Sequence, residues 1–254
     1  MQALWQRRDL VRYFVQTDLK VIYSNKMLGF LWTLLDPLMM MVVYVLVVVV
    51  IFQRGGPQFP ALLFSTLLAW RWFTFAIIGA VKSITGKAKL IQTIYFPRSI
   101  LPLARTLVGL VNYLISLISL IPILLIFHAK ITFNVLWLPL LILIQLSFTL
   151  GLAFLVAAAG VYFRDLENIL QFGLRMWFYL SPGLYSVEDR ISAKWLNIYM
   201  LNPFASLFES YKNILVRGMA PDQYLFIAIL WALGMLFVGG TFFFLRESQF
   251  AKDV

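Results

Sequence analysis

Residues 30–52 read FLWTLLDPLMMMVVYVLVVVVIF, with Asp36 as the one charged side chain. In water so β-branched a run would read as a buried strand. Its length and its lack of any turn signal make it a helix in lipid, where the backbone has no water to bond and must satisfy itself. About 20 apolar residues cross the hydrocarbon, and five further stretches reach that length or come close to it: 61–81, 103–127, 135–163, 169–187 and 224–245. Of the 254 residues 62% are hydrophobic and 13% charged. An ordinary soluble domain carries about 25% charged residues, so that class is excluded. The net charge of +10 does not indicate nucleic acid, because the bases cluster between apolar runs, as membrane orientation requires.

Orientation follows from those clusters. Arg7, Arg8, Arg12, Lys20 and Lys26 precede the first span, and Lys82, Lys87, Lys89 and Arg98 lie between spans two and three. The short loops on the other side hold only Arg54 and Lys130. Both termini are therefore expected in the cytoplasm. Before the first span, Leu10, Val11, Phe14, Val15, Val21 and Ile22 repeat at helical spacing among bases, which reads as a helix lying in the membrane interface. Asp18 falls on its apolar stripe and is assigned a local salt bridge to Arg12 or Lys20.

The loop KSITGKAKLIQTIYFPRSILP, 82–102, contains no acid. Leu90, Ile91 and Ile94 share a face there, and Pro97 and Pro102 mark the return to the bilayer. This reads as a short basic docking helix or as a plain solvated loop. The outer loop, 186–223, offers two short amphipathic helices, packed at the membrane surface or dipping back into it. One carries Trp195 and Tyr199. The other follows the Asn202-Pro203 cap with Phe204, Leu207, Phe208, Tyr211 and Leu215 in helical register, and Gly218 closes it.

Within the spans, Asp36-Pro37 and Arg71 are costly unless they face a partner or water. For Arg71 the readings are an interfacial anchor or an arginine beside a polar conduit. The run 135–163 is long enough to tilt, or to break near Gly151 or Gly160. Ser181-Pro182-Gly183 should end or break the helix of span five. Thr85-Gly86-Lys87-Ala88 lacks the earlier glycine and the final Ser or Thr of a phosphate-binding loop. With no cysteine and one histidine, His128, the chain lacks the usual ligand set of a catalytic zinc site. No energy source is visible in the chain.

Several short pieces, in order, carry a resemblance: Thr17-Asp18-Leu19-Lys20, Tyr23-Ser24, Leu28-Gly29-Phe30-Leu31-Trp32, Asp36-Pro37 and Leu67-Leu68-Ala69-Trp70. Leu90-Ile91, Tyr95-Phe96-Pro97-Arg98, Leu101-Pro102, Arg164-Asp165-Leu166, Ser181-Pro182 and Leu201-Asn202-Pro203 continue it. Over nearly its whole length the chain resembles the Wzm family, the membrane subunits of ABC transporters that export O-antigen polysaccharide. It departs at Lys87 and Lys89, where asparagine is common, and at Ala69, where proline is common.

The resemblance implies an all-α integral membrane protein of the bacterial inner membrane. Residues 1–29 would form the interfacial helix and 30–254 a six-helix permease domain. It implies a homodimer, a dimeric cytoplasmic ABC ATPase that holds the ATP and Mg, and a polyprenyl-pyrophosphate-linked polysaccharide as cargo. This chain itself would have no cofactor and no catalytic residue. Lys87, Lys89, Leu90, Ile91, Ile94, Tyr95 and Phe96 would form a coupling helix. Trp195, Tyr199, Phe204, Phe208 and Tyr211 would form an external gate. Beside this, sugars bind over aromatic faces, so Trp70, Phe73, Phe172, Trp177 and Tyr179 are candidates for a glycan path between subunits, with Arg71 and Arg175 near it. Arginine suits phosphate, so Arg8, Arg12, Arg98 and Arg105 are candidates for pyrophosphate or lipid headgroups. Export of teichoic acid, lipid or drug, a passive channel, and a polyprenyl-lipid enzyme are the alternatives.

Overall fold

A computed structural model of the chain describes residues 8–24, 29–94, 96–187 and 191–250. All regular structure among them is helical. Helix α1, Arg8–Tyr23, precedes α2, Leu31–Val45, which runs on as a π-helix over Leu46–Ile51. Helix α3 is Phe59–Val81, and a 3₁₀ turn, Thr85–Lys87, leads into α4, Ala88–Thr93. Helix α5 is Ile100–Ile126. A second 3₁₀ turn, Phe133–Trp137, opens α6, Leu138–Tyr162. Helices α7, Leu166–Leu180, α8, Ala193–Tyr199, and α9, Pro203–Lys212, follow. After a π-helix over Asn213–Arg217, α10 spans Leu225–Arg246.

Among the described residues five helical segments are long and apolar enough to cross a membrane: 31–51, 59–81, 100–126, 133–162 and 225–246. The sixth expected span, 169–187, is shorter than its sequence suggests. Helix α7 has 15 residues, about 22 Å at the α-helical rise against roughly 30 Å of hydrocarbon. Its end falls at the expected breaker, where Ser181 turns extended. The run 135–163 does not break: α6 passes straight through Gly151 and Gly160.

Helix α3 is the centre of the bundle, buried on most of its surface, whereas α2 exposes most of its apolar side chains. The tightest crossing joins α6 and α10. A methyl on Gly239 would stand 1.8 Å from the Gly151 carbonyl oxygen, and one on Gly151 would stand 2.3 Å from the Met235 backbone. Without a hydrophobic drive in lipid, helices associate by such backbone approach at small residues.

The outer helices differ from one another. Asn202 caps α9 by accepting from the Phe204 amide at 3.1 Å, and Gly218 closes the following turn at φ +70°, as the sequence implied. Yet every residue of α9 is buried. Whether it packs at the membrane surface or dips back into the membrane, it is covered on all sides by the rest of the chain. Its polar face survives burial because it is partnered within. Glu209 accepts from Lys212 Nζ at 2.8 Å and from Arg217 at 2.9 Å, and Lys212 also donates to the Tyr185 carbonyl at 2.9 Å. Helix α8, by contrast, leaves Trp195 and Ile198 exposed.

Candidate functional site

Two features stand out: a groove between α2, α3 and α7, and the basic loop around α4.

The groove has a volume of about 590 Å³, and its lining includes Tyr44, Trp70, Arg71, Thr74, Arg175 and Tyr179. Arg71 lies halfway along α3 and forms an ion pair with Asp36 of α2. Both side chains are well exposed, 39% and 50%, although both sit within apolar spans. Arg71 also faces a smaller polar pocket beside Thr33, Asn112 and Ser116. Arg175 is exposed on α7, and no acid among the described residues pairs with it. The structure thus brings Trp70, Tyr179, Arg71 and Arg175 to one groove. Tyr44, Thr74 and Gln171 also line it. The sequence reading missed these three because none stands out from its own span.

The rest of the expected aromatic path lies elsewhere. Phe73 is fully buried and Trp70 is only 6% exposed, so this side of α3 offers no open aromatic surface. Phe73 packs in an aromatic cluster with Phe148 at 5.8 Å, Trp177 at 5.7 Å and Phe204 at 4.5 Å between ring centroids. Trp70 joins the same cluster through Phe204 at 4.8 Å. Trp177 is fixed by its indole N–H, which donates to Asn202 Oδ1 at 3.0 Å. Phe172 is exposed but lies off the groove. Of the expected gate residues, Phe204, Phe208 and Tyr211 are buried completely, whereas Trp195 is exposed. Tyr199 shares a 2.8 Å hydroxyl contact with Tyr185.

The basic loop has no acid of its own, yet two of its bases pair with acids of other elements and a third is held by a backbone carbonyl. Lys82 pairs with Glu167 at the start of α7. Lys87 lies 3.5 Å from Asp18 of α1. Arg98 donates through its guanidinium to the Glu247 carbonyl, and its amide donates to the Glu247 carboxylate at 2.6 Å. Asp18, only 7% exposed, also meets Arg105 at 3.4 Å. The local pairing of Asp18 with Arg12 or Lys20 is therefore corrected, since its stripe faces inward and Arg12 and Lys20 are exposed. Burial lowers the Lys87 ammonium below its usual value; Asp18 opposes that shift and Arg105 adds to it.

Within α4, Ile91 is buried and Leu90 half-buried, while Lys89, Gln92 and Thr93 face outward. Ile94 follows the helix in extended geometry and is exposed, so Leu90 and Ile94 do not form one docking face. Phe96 is buried, and Tyr95 lies outside the described residues. Of the phosphate candidates, Arg105 is engaged by Asp18, the Arg98 guanidinium is held by the Glu247 backbone carbonyl, and Arg8 and Arg12 are exposed on α1.

Residues 9–216 match the model of the ABC-2 type transporter family. The chain belongs to that family. An O-antigen export system permease protein RfbA of Myxococcus xanthus is 34% identical over 100% of this chain and 98% of its own length. A Klebsiella pneumoniae protein of the same description is 28% identical over 96% and 94%. As an ABC-2 chain the protein is a multi-pass membrane subunit of a transporter, not an enzyme, and works with an ATPase.

Proposed function

We propose that this ABC-2 chain is the permease of an ATP-driven exporter that moves a polyprenyl-pyrophosphate-linked polysaccharide of the O-antigen type out of the cytoplasm. The relatives described as O-antigen export permeases align along the full chain, which supports the cargo class. One observation carries the path: the half-exposed Asp36–Arg71 pair, with Arg175, in a groove at the depth of the apolar spans. Charges facing hydrocarbon there are costly, and such groups face water or a partner instead.

The groove also meets what a moving glycan needs. The exposed ring of Tyr179 offers a face that stacks weakly on sugar rings, Trp70 lies buried beneath the groove, and Thr74, Gln171 and the arginines replace hydrogen bonds to water. In this reading two copies of the chain meet along α2 and α7, whose outward faces are the least covered, and the groove becomes a wall of the path between them. Helix α4 and Ile94 seat in the ATPase at the cytoplasmic face of the inner membrane. Helix α8 lies at the exit.

The test uses cells that lack their own O-antigen permease and carry this chain with its cognate ATPase. Polysaccharide should appear on the cell surface, and disappear when the ATPase cannot hydrolyse ATP. Glycan retained inside cells that contain both intact subunits would overturn the reading.

A further inference from the structure

Helix α4 has six residues. So short a helix has too few internal hydrogen bonds to hold its own shape in water, so its neighbours must fix it. Helix α1 reaches it at both ends. Phe14 and Asp18 stand four residues apart, hence on one face of α1, and both are buried. Lys87, just before α4, lies 3.5 Å from the Asp18 carboxylate and 4.2 Å from the centre of the Phe14 ring. Phe96, just beyond α4, also packs on Phe14, with ring centroids 5.9 Å apart. Asp18 is tied in turn to Arg105 of α5 at 3.4 Å, so the contact is anchored on a membrane span and does not hang from α1 alone. Lys89, Gln92, Thr93 and Ile94 remain outward.

We infer that Phe14 and Asp18 are positioning residues that clamp both ends of α4, so that α1 and α4 receive the ATPase movement as one unit. This rests on the reading of α4 as the ATPase seat. A helix pinned at both ends passes a push into α5 and the bundle, whereas one held at a single end pivots and absorbs it. The Asp18 carboxylate does this work with two cations, so the loss of its charge leaves Lys87 and Arg105 facing each other.

The experiment measures glycan exported per ATP hydrolysed by the complete transporter. Asp18→Asn should insert and co-purify with the ATPase, while export per ATP falls about tenfold, the size of an ordinary coupling energy. Asp18→Glu should keep most of it. The chain has no cysteine, so Phe14→Cys and Phe96→Cys, joined by a short thiol cross-linker in the Asp18→Asn background, should restore coupling. Normal coupling in Asp18→Asn, or a loss that neither Asp18→Glu nor the cross-link repairs, overturns the clamp. Should Asp18→Asn not accumulate in the membrane, Lys87→Met keeps the Asp18–Arg105 pair and removes the loop arm. It should show the same loss, and normal coupling there counts against the clamp equally. Ile94→Asp separates the two claims. If it binds the ATPase and exports normally, the docking reading fails; if it uncouples and Asp18→Asn does not, the clamp alone fails.

Discussion

At the scale of single residues, the Asp36–Arg71 ion pair sets two opposite charges beside the groove between α2, α3 and α7. Asp36 and Arg71 were each visible as misplaced charges, but they lie 35 positions apart, and no local rule joins them. Aromatic side chains misled in the other direction. A ring at helical spacing looks the same whether it lines a groove or fills a core, and Tyr179 and Phe73 prove to be one of each. Their leucine variants should therefore part company. Tyr179→Leu keeps an apolar surface and removes a stacking face, so insertion and ATPase binding should be normal while export of long glycan falls. Phe73→Leu leaves a void inside the aromatic cluster, at a cost of roughly 1–2 kcal/mol, and should lower the amount of folded protein while the export rate per folded molecule changes little. Quantitative blots of membrane fractions beside surface glycan measure both effects, and equal export defects per folded molecule would count against the division.

At the scale of elements, length and hydropathy placed the five long spans, because lipid leaves the backbone only one solution. Capping residues placed both ends of the α9 segment. Its depth was not legible. The apolar register of Phe204, Phe208 and Tyr211 accounts for one side of a helix and i,i+3 spacing for the Glu209–Lys212 pair on the other, but nothing local says that this pair is buried against the Tyr185 carbonyl. This changes how movement of the outer loop should be probed. Cysteines at Phe204 and Phe208 should resist a water-soluble maleimide with and without ATP. Cysteines at Trp195, Ile198 and Leu201, all exposed, should react and should differ between the two states if this face moves during transport. Rapid labelling at Phe204 in the nucleotide-free transporter would show that α9 leaves the bundle.

At the scale of the whole molecule, the α6–α10 crossing makes the bundle rigid on one side. Backbone lies against backbone there, so a single methyl has nowhere to go. Gly239→Ala should cost about 1–3 kcal/mol through overpacking and reduce the yield of detergent-stable protein. Gly234→Ala lies on the same helix with nothing within 4 Å of the added carbon, and should be neutral. Thermal aggregation of the two purified variants decides the matter, and equal stability would mean that the helices part easily. The sequence displayed both glycines, but their role depends on which helix crosses which, and that is a property of the assembled bundle.

The acids that reach the loop from α1, α7 and Glu247 have a consequence for recognition. A loop of four bases would attract any acidic surface and would favour speed of encounter over choice of partner. Lys82 and Lys87 are already paired from within, and among the described residues the side chains of Lys89 and Arg98 are left without an acid partner. On the reading of α4 as the ATPase seat, half of the loop's charge is compensated from within, which weakens long-range attraction as a way to sort one ATPase from another in a cell that houses several related exporters. On that same reading, discrimination falls to the small outward patch of Gln92, Thr93 and Ile94, and an ATPase could be exchanged between systems by recutting its pocket to fit that patch.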